Sequence, residues 1–117
     1  MNKRALRTAI IMANNGAYQS IGSQIPTDMR RYVYFIKATN QLAGANELTI
    51  ARGPAGSEAG AEVDYVQAGT EYDIWEYPEA LPENAAPLYI FETVDEYIRL
   101  ITDNGDVKVF IIYADEP

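Results

Sequence analysis

The side chains that most often carry enzymatic chemistry are either missing from this chain or stand outside any known motif. The sequence has no histidine and no cysteine, which removes the commonest general base, the Ser-His-Asp arrangement, thiolate zinc sites and disulfides. Catalysis would therefore depend on carboxylates, tyrosines, lysines or arginines. The densest group of carboxylates consists of Asp64, Glu71, Asp73, Glu76, Glu79 and Glu83.

This acidic group is compatible in principle with calcium binding or glycoside hydrolysis. A calcium loop needs oxygen ligands at defined spacings, and a glycosidase needs two carboxyl groups at a fixed separation across a cleft. The group matches neither pattern, and acids that alternate along strands usually form a solvated face. The glycine-rich stretch 53–60 also lacks the Lys-Ser/Thr pair of a phosphate-binding loop. We predict no enzyme activity, cofactor or metal site, with calcium binding as the alternative use of these acids.

Aromatic residues beside these acids offer a second kind of site. Trp75 and Tyr77 share one face of a predicted strand, while Tyr72 lies on the other face. An aromatic face next to carboxylates can bind a sugar ring, so a carbohydrate-binding or adhesion module is the alternative function. Packing in the core or against another subunit is the competing interpretation of Trp75, since a lone Trp in a small β domain is usually buried.

The charges are unevenly distributed along the chain. Residues 1–46 contain six basic side chains and one acid, whereas residues 47–117 contain three basic side chains and sixteen acids, for a net charge of −8. This asymmetry indicates either two solvated faces or a basic N-terminal part that binds an acidic surface, such as that of a neighbouring subunit. The only adjacent basic pairs are Lys3-Arg4 and Arg30-Arg31. We therefore predict no nucleic-acid partner.

Short runs of β-branched and aromatic residues, separated by turn residues, predict an antiparallel β-sandwich of jelly-roll-like type with about eight or nine short strands. Residues 1–117 form one domain, and residues 1–6 form an extended basic N-terminal arm. Residues 7–13 fit a strand or a short helical stripe, and the following Asn-Asn-Gly favours the strand. The remaining predicted strands are 18–21, 31–39, 47–52, 61–67, 70–77, 87–92, 96–102 and 107–113.

The strongest local signal is Asn104-Gly105, which is typical of a two-residue type I′ turn. It predicts a hairpin in which Thr102 faces Val107. One side of that hairpin is expected to be the core face, made of Ile98, Leu100, Val109 and Ile111. The other side carries Tyr97, Ile101, Phe110 and Ile112, spaced by two cations, Arg99 and Lys108. So much apolar area on a second face predicts contact with another protein molecule.

No apolar stretch is long enough to cross a bilayer, and residues 8–13 make a weak core for a secretory signal. We therefore expect no membrane association and synthesis in a cytoplasm.

The order of elements resembles a family of structural proteins. Strands at Ala9–Met12, Arg31–Ala38 and Glu47–Arg52 precede a glycine loop, and the chain closes with Tyr97–Asp115. The pattern is similar to small β-sandwich proteins of tailed-virus particles, of the head-decoration or cement kind. The resemblance implies a non-enzymatic, homo-oligomeric protein on the virion surface, bound to the major capsid protein or another virion component. The basic N-terminal arm and the second face of the hairpin, and not the resemblance, give the predicted interface residues Lys3, Arg4, Arg7, Tyr97, Ile101, Phe110 and Ile112.

Overall fold

The computed structural model describes residues 6–41, 44–53, 61–68, 74–77, 86–91 and 96–117, with the backbone alone for 61–68 and 74–77. Within these ranges the chain forms strands joined by turns and irregular segments, and none of them is helical. The described part of the chain accordingly contains no helix that could span a membrane. Most of the predicted N-terminal arm, residues 70–73 of a predicted strand, and residues 54–60 and 78–85 lie outside the described residues.

The strands of the described residues are β1 (Arg7–Ala13), β2 (Gln19–Ile21), β3 (Arg30–Asn40), β4 (Asn46–Gly53), β5 (Ala61–Ala68), β6 (Ile74–Tyr77), β7 (Tyr89–Phe91), β8 (Tyr97–Thr102) and β9 (Val107–Glu116). Sheet A has the order β1-β9-β3, and β6 and β7 both pair with the second edge of β3. Sheet B has the order β2-β8-β4-β5. Every pairing is antiparallel. The prediction of an antiparallel all-β fold is confirmed for the described residues.

The two sheets share one hydrophobic core. Alternate residues of each strand point to opposite faces, so each sheet turns one apolar face toward the other and one face away from it. The predicted core face is confirmed, because Ile98, Leu100, Val109 and Ile111 are all buried. The rest of the buried apolar cluster consists of Ala13, Ile21, Ile25, Val33, Ile36, Ala38, Leu48, Ile50, Phe91, Val107 and Tyr113.

The predicted hairpin between β8 and β9 is wrong. β8 pairs with β2 and β4, and β9 pairs with β1 and β3, so the two strands lie in different sheets and face each other across the core. A type I′ turn needs positive φ at both central residues. Positive φ occurs in the described residues at Gly22 and Asp28 but not at Asn104 or Gly105. The Asn-Gly pair therefore forms a corner that carries the chain from sheet B to sheet A.

A buried polar network holds this corner in place. The Asn46 side chain is 3% exposed. Its Oδ1 accepts hydrogen bonds from the backbone N–H of Glu47 (3.1 Å) and of Asn104 (3.2 Å). Its Nδ2 donates to Oδ1 of Asn40 (3.2 Å) and to the carbonyl of Gly105 (3.1 Å). One amide thus links β3, β4 and the corner.

A buried ion pair closes the opposite end of the β3–β9 ladder. Arg31 is fully buried, and its Nε and Nη2 lie 2.7 and 2.9 Å from the two carboxylate oxygens of Asp115. The same guanidinium donates to the carbonyl and to Oγ of Ser23 and lies 4.4 Å from the centroid of the Tyr113 ring. Gly22 has a φ of 78°, and a Cβ there would lie 3.5 Å from Nη1 of Arg31. Arg31 is therefore part of the core, and Arg30-Arg31 is not a basic surface pair.

Candidate protein-interaction surface

The outer face of sheet A is defined by a register shift in β3. The pairing of β3 with β9 shifts between Val33 and Phe35, so Val33 and Tyr34 are both buried. A bulge of this kind reverses the side-chain alternation of a strand. Beyond it, Ile36, Ala38 and Asn40 face the core. Phe35, Lys37 and Thr39 therefore lie on the outer face.

The register extends this face over two more strands. Phe110 of β9 pairs with Lys37 of β3 on one side and with Ile10 of β1 on the other. Two residues away along β9, on the same face, Lys108 lies between Thr39 and Met12. Across β1, β9 and the part of β3 beyond the bulge, the outer face of sheet A therefore includes these residues together with Thr8, Phe35 and Ile112.

An open groove of about 480 Å³ runs across the outer face, lined by Ile10, Phe35, Lys37, Thr39, Lys108 and Phe110. The rings of Phe35 and Phe110 form its apolar floor in an edge-to-face pair, with centroids 6.1 Å apart and planes at 69°. Ile10 and Met12 are 59% and 43% exposed. Two lysines lie beside this apolar area. A surface with an aromatic centre and a charged rim has the composition of a protein-binding patch.

The structure separates the apolar interface residues that the hairpin had placed on one face. Phe110 and Ile112 lie on the outer face of sheet A, whereas Tyr97 and Ile101 lie on the outer face of sheet B. Arg7 is exposed at the start of β1 and pairs with Tyr113. Lys3 and Arg4 lie outside the described residues. Since the two outer faces are on opposite sides of the core, Phe110 and Ile112 cannot belong to one contact patch with Tyr97 and Ile101.

The outer face of sheet B differs from that of sheet A around Arg99. This side chain was predicted to lie on the second face of the hairpin, between Tyr97 and Ile101, but it is 2% exposed. Its Nη2 donates to the carbonyl of Tyr18 at 3.1 Å, and its guanidinium lies 5.5 Å from the centroid of the Tyr18 ring. Ala51, which pairs with Arg99, is fully buried on the same face. The chain itself therefore covers the middle of this face, whereas the groove on sheet A is open.

The residues of the carbohydrate hypothesis lie in β6. Trp75 and Tyr77 pair with Ala38 and Ile36, which are core-facing residues of β3. The backbone register thus gives no support to an external sugar platform. Of the acidic group, Asp64 pairs with Ile50 and Glu76 with Lys37, and the other four acids lie outside the described residues. Among the described residues, no group of three or more His, Cys, Asp or Glu side chains is placed to hold a metal.

The sequence interpretation missed Ile10, Met12, Phe35, Lys37 and Thr39 as surface residues. The alternation of Thr8, Ile10 and Met12 was a usable signal for β1, because it marks one face of a strand. No equivalent signal existed in β3, where the bulge reverses the alternation within a continuous apolar run.

The fold and this surface define a class rather than a particular protein: an antiparallel two-sheet domain with one open apolar face that also bears lysines. Comparison with protein-family models, with curated protein sequences and with solved structures gave no significant match for this chain. The outer face of sheet A is therefore the candidate functional site of this chain.

Proposed function

We propose that this chain is a non-enzymatic structural protein of a virus particle, of the capsid decoration or stabilising kind. In this proposal it is synthesised in the host cytoplasm and binds the major capsid protein or another virion component at the particle surface. The observation that carries the proposal is the open, apolar and aromatic outer face of sheet A. The sequence resemblance to tailed-virus decoration proteins supplies the particular partner.

The outer face of sheet A suits protein contact for a physical reason. Contiguous exposed apolar area is costly in water, and aromatic side chains surrounded by a polar rim contribute most to protein–protein binding. Phe110 and Phe35 are half-buried and hold each other in place, so they lose little freedom on binding. Lys108 is exposed beside them, and it favours a partner surface that carries carboxylates.

The jelly-roll-like topology is part of the same proposal. Several consecutive strands lie in different sheets: β1 and β2, β2 and β3, β3 and β4, β5 and β6, β7 and β8, and β8 and β9. Connections that cross between two packed antiparallel sheets favour a double-sheet jelly roll over a meander of hairpins. A rigid sandwich of this kind suits a protein whose role is to hold neighbouring molecules together.

Co-sedimentation with assembled capsids tests the proposal, using any major capsid protein that a neighbouring gene is found to encode. The unchanged chain should pellet with assembled capsids, and Phe110→Glu should abolish pelleting because it places a charge in the centre of the outer face of sheet A. Ile101→Glu is the matched control, since it adds the same charge to the half-buried outer face of sheet B. Thermal melting of both variants shows that the fold is retained.

Three results would contradict the proposal. The first is that the unchanged chain stays in the supernatant, and the second is that Phe110→Glu pellets as well as Ile101→Glu does. The third result is saturable binding to a glycan array that Trp75→Ala abolishes, which would support the carbohydrate-binding alternative instead.

A further inference from the structure

Among the described strands, all but one of the sheet edges are protected against pairing with other chains. Proteins protect edges by making strands short, by bulges and by charged side chains. β2 and β7 have three residues each and β6 has four. β5 is longer, but its pairing with β4 contains a register shift, and its sequence includes Glu62 and Asp64.

β1 has none of these protections. It has seven residues, it pairs with β9 in an unbroken register, and among the described strands it pairs with β9 alone. Its single charged residue is Arg7, at the first position. A long, regular and apolar edge strand is a template for pairing with another chain.

The exposed apolar side chains of the protein are concentrated at this edge. The described residues include four large hydrophobic side chains that are exposed, and three of them belong to β1 or to the residue before it: Leu6 (55%), Ile10 (59%) and Met12 (43%). These side chains have the same parity along the strand and therefore lie on one face. The edge of β1 exposes both unpaired backbone groups and apolar side chains, and both favour contact with another chain.

We propose that a second copy of this chain covers the edge, by antiparallel pairing of β1 with β1 about a twofold axis at Ile10. The pairing would join two copies of sheet A into one continuous sheet. A twofold contact of this type is closed, so it ends at a dimer and does not lead to fibres. The proposal concerns the chain alone and does not depend on a role in a virus particle.

The register follows from two requirements. Residues directly opposite each other must point to the same face, or the core face of one copy would meet the solvent face of the other. The axis must therefore pass through a residue and not between two residues. An axis at Ile10 pairs all of Arg7–Ala13, whereas an axis at Ala9 or Ile11 leaves part of the strand unpaired. In this register Thr8 faces Met12 of the second copy, and apolar side chains meet at the centre.

The charges agree with a second copy as the occupant. Arg7 of one chain would pair with Ala13 of the other, next to Asn14, whose carbonyl accepts a hydrogen bond from the N–H of Thr102 at 3.0 Å. That end of the molecule carries two exposed acids, Asp103 and Asp106.

The two copies of Arg7 would be roughly 20 Å apart, since six residues of strand separate them. Repulsion across that distance is largely screened at physiological ionic strength. Arg7 of one chain would therefore lie near the acidic end of the other chain. Opposite charges are thus brought together, and like charges are kept apart.

Cysteine substitution tests the register directly, because the chain has no cysteine of its own. Opposed residues in antiparallel strands have Cα atoms about 4.5–5.5 Å apart, which is within the range of a disulfide. Ile10→Cys should therefore form a disulfide-linked dimer when dissolved oxygen serves as the oxidant. Thr8→Cys and Met12→Cys should each stay monomeric on a non-reducing gel, since equivalent residues would lie roughly 14 Å apart. A mixture of the two should form a disulfide heterodimer.

Sedimentation equilibrium of the unmodified chain provides the second measurement. The expected mass is twice 13.0 kDa. Ile10→Lys should weaken the dimer about tenfold or more, because it places a charge at the centre of the pairing. Ile90→Lys is the matched control, since Ile90 is 49% exposed but belongs to β7. A monomeric chain, or a dimer that Ile10→Lys leaves intact and that gives no Thr8/Met12 cross-link, would overturn the inference.

Discussion

Changing Asp115 to alanine should cost more stability than a typical surface substitution, because it leaves the Arg31 guanidinium buried without its carboxylate. Removing one partner of a buried ion pair typically costs about 3–5 kcal/mol. Arg31 is 0% exposed and the Asp115 side chain 11% exposed. The Ser23 carbonyl and the Tyr113 ring remain in contact with the guanidinium, and water can enter the space left by the carboxylate. We therefore expect a loss near the lower limit, about 3 kcal/mol.

Urea denaturation measures this loss. With a slope of about 1–3 kcal/mol per molar urea, a loss of about 3 kcal/mol lowers the midpoint by roughly 1–3 M. The control is Glu96→Gln, which breaks the ion pair with Arg52. Because the Arg52 and Glu96 side chains are 40% and 21% exposed, this change should cost about 1 kcal/mol or less. Replacing both Arg31 and Asp115 by apolar residues should recover most of the loss. If Asp115→Ala costs no more than Glu96→Gln, the Arg31 guanidinium is hydrated and its ion pair with Asp115 is not buried.

Three further predictions concern the core, the corner and the N-terminal arm. Leu100→Ala or Ile111→Ala should each destabilise the protein by about 2–5 kcal/mol in the same assay, since both side chains are buried in the core between the sheets; a loss below about 1 kcal/mol would exclude that position. Asn46→Ala should cost about 2–4 kcal/mol and speed amide hydrogen exchange at Asn104, whose N–H bonds to the Asn46 side chain; unchanged exchange would contradict the network. Deleting residues 1–6 should leave the melting temperature unchanged. It should weaken self-association and reduce the dependence of self-association on salt. An unfolded product would show that these residues are needed for the fold.

The difference between the predicted hairpin and the observed corner shows how far a local pattern reaches. Asn104-Gly105 is a turn in both descriptions, and the choice of core-facing residues in β8 and β9 is the same in both. The strands differ only in their partners. The corner is held by Asn46, which is far from the turn in sequence and whose side chain accepts a hydrogen bond from the N–H of Asn104. A turn motif carries no information about such a distant partner.

The sequence by itself determined the all-β class, most strand positions and the core-facing residues of β8 and β9, because a strand places alternate side chains on opposite faces and this period can be read locally. The lack of histidine and cysteine also excluded Ser-His-Asp catalysis, thiolate zinc sites and disulfides. Only the tertiary structure decided that β8 and β9 lie in different sheets, that Phe110 and Ile101 are on opposite sides of the molecule, and that Arg31 is buried. Those features depend on pairing between strands distant in sequence, which is chosen by the total burial and hydrogen bonding of the folded chain.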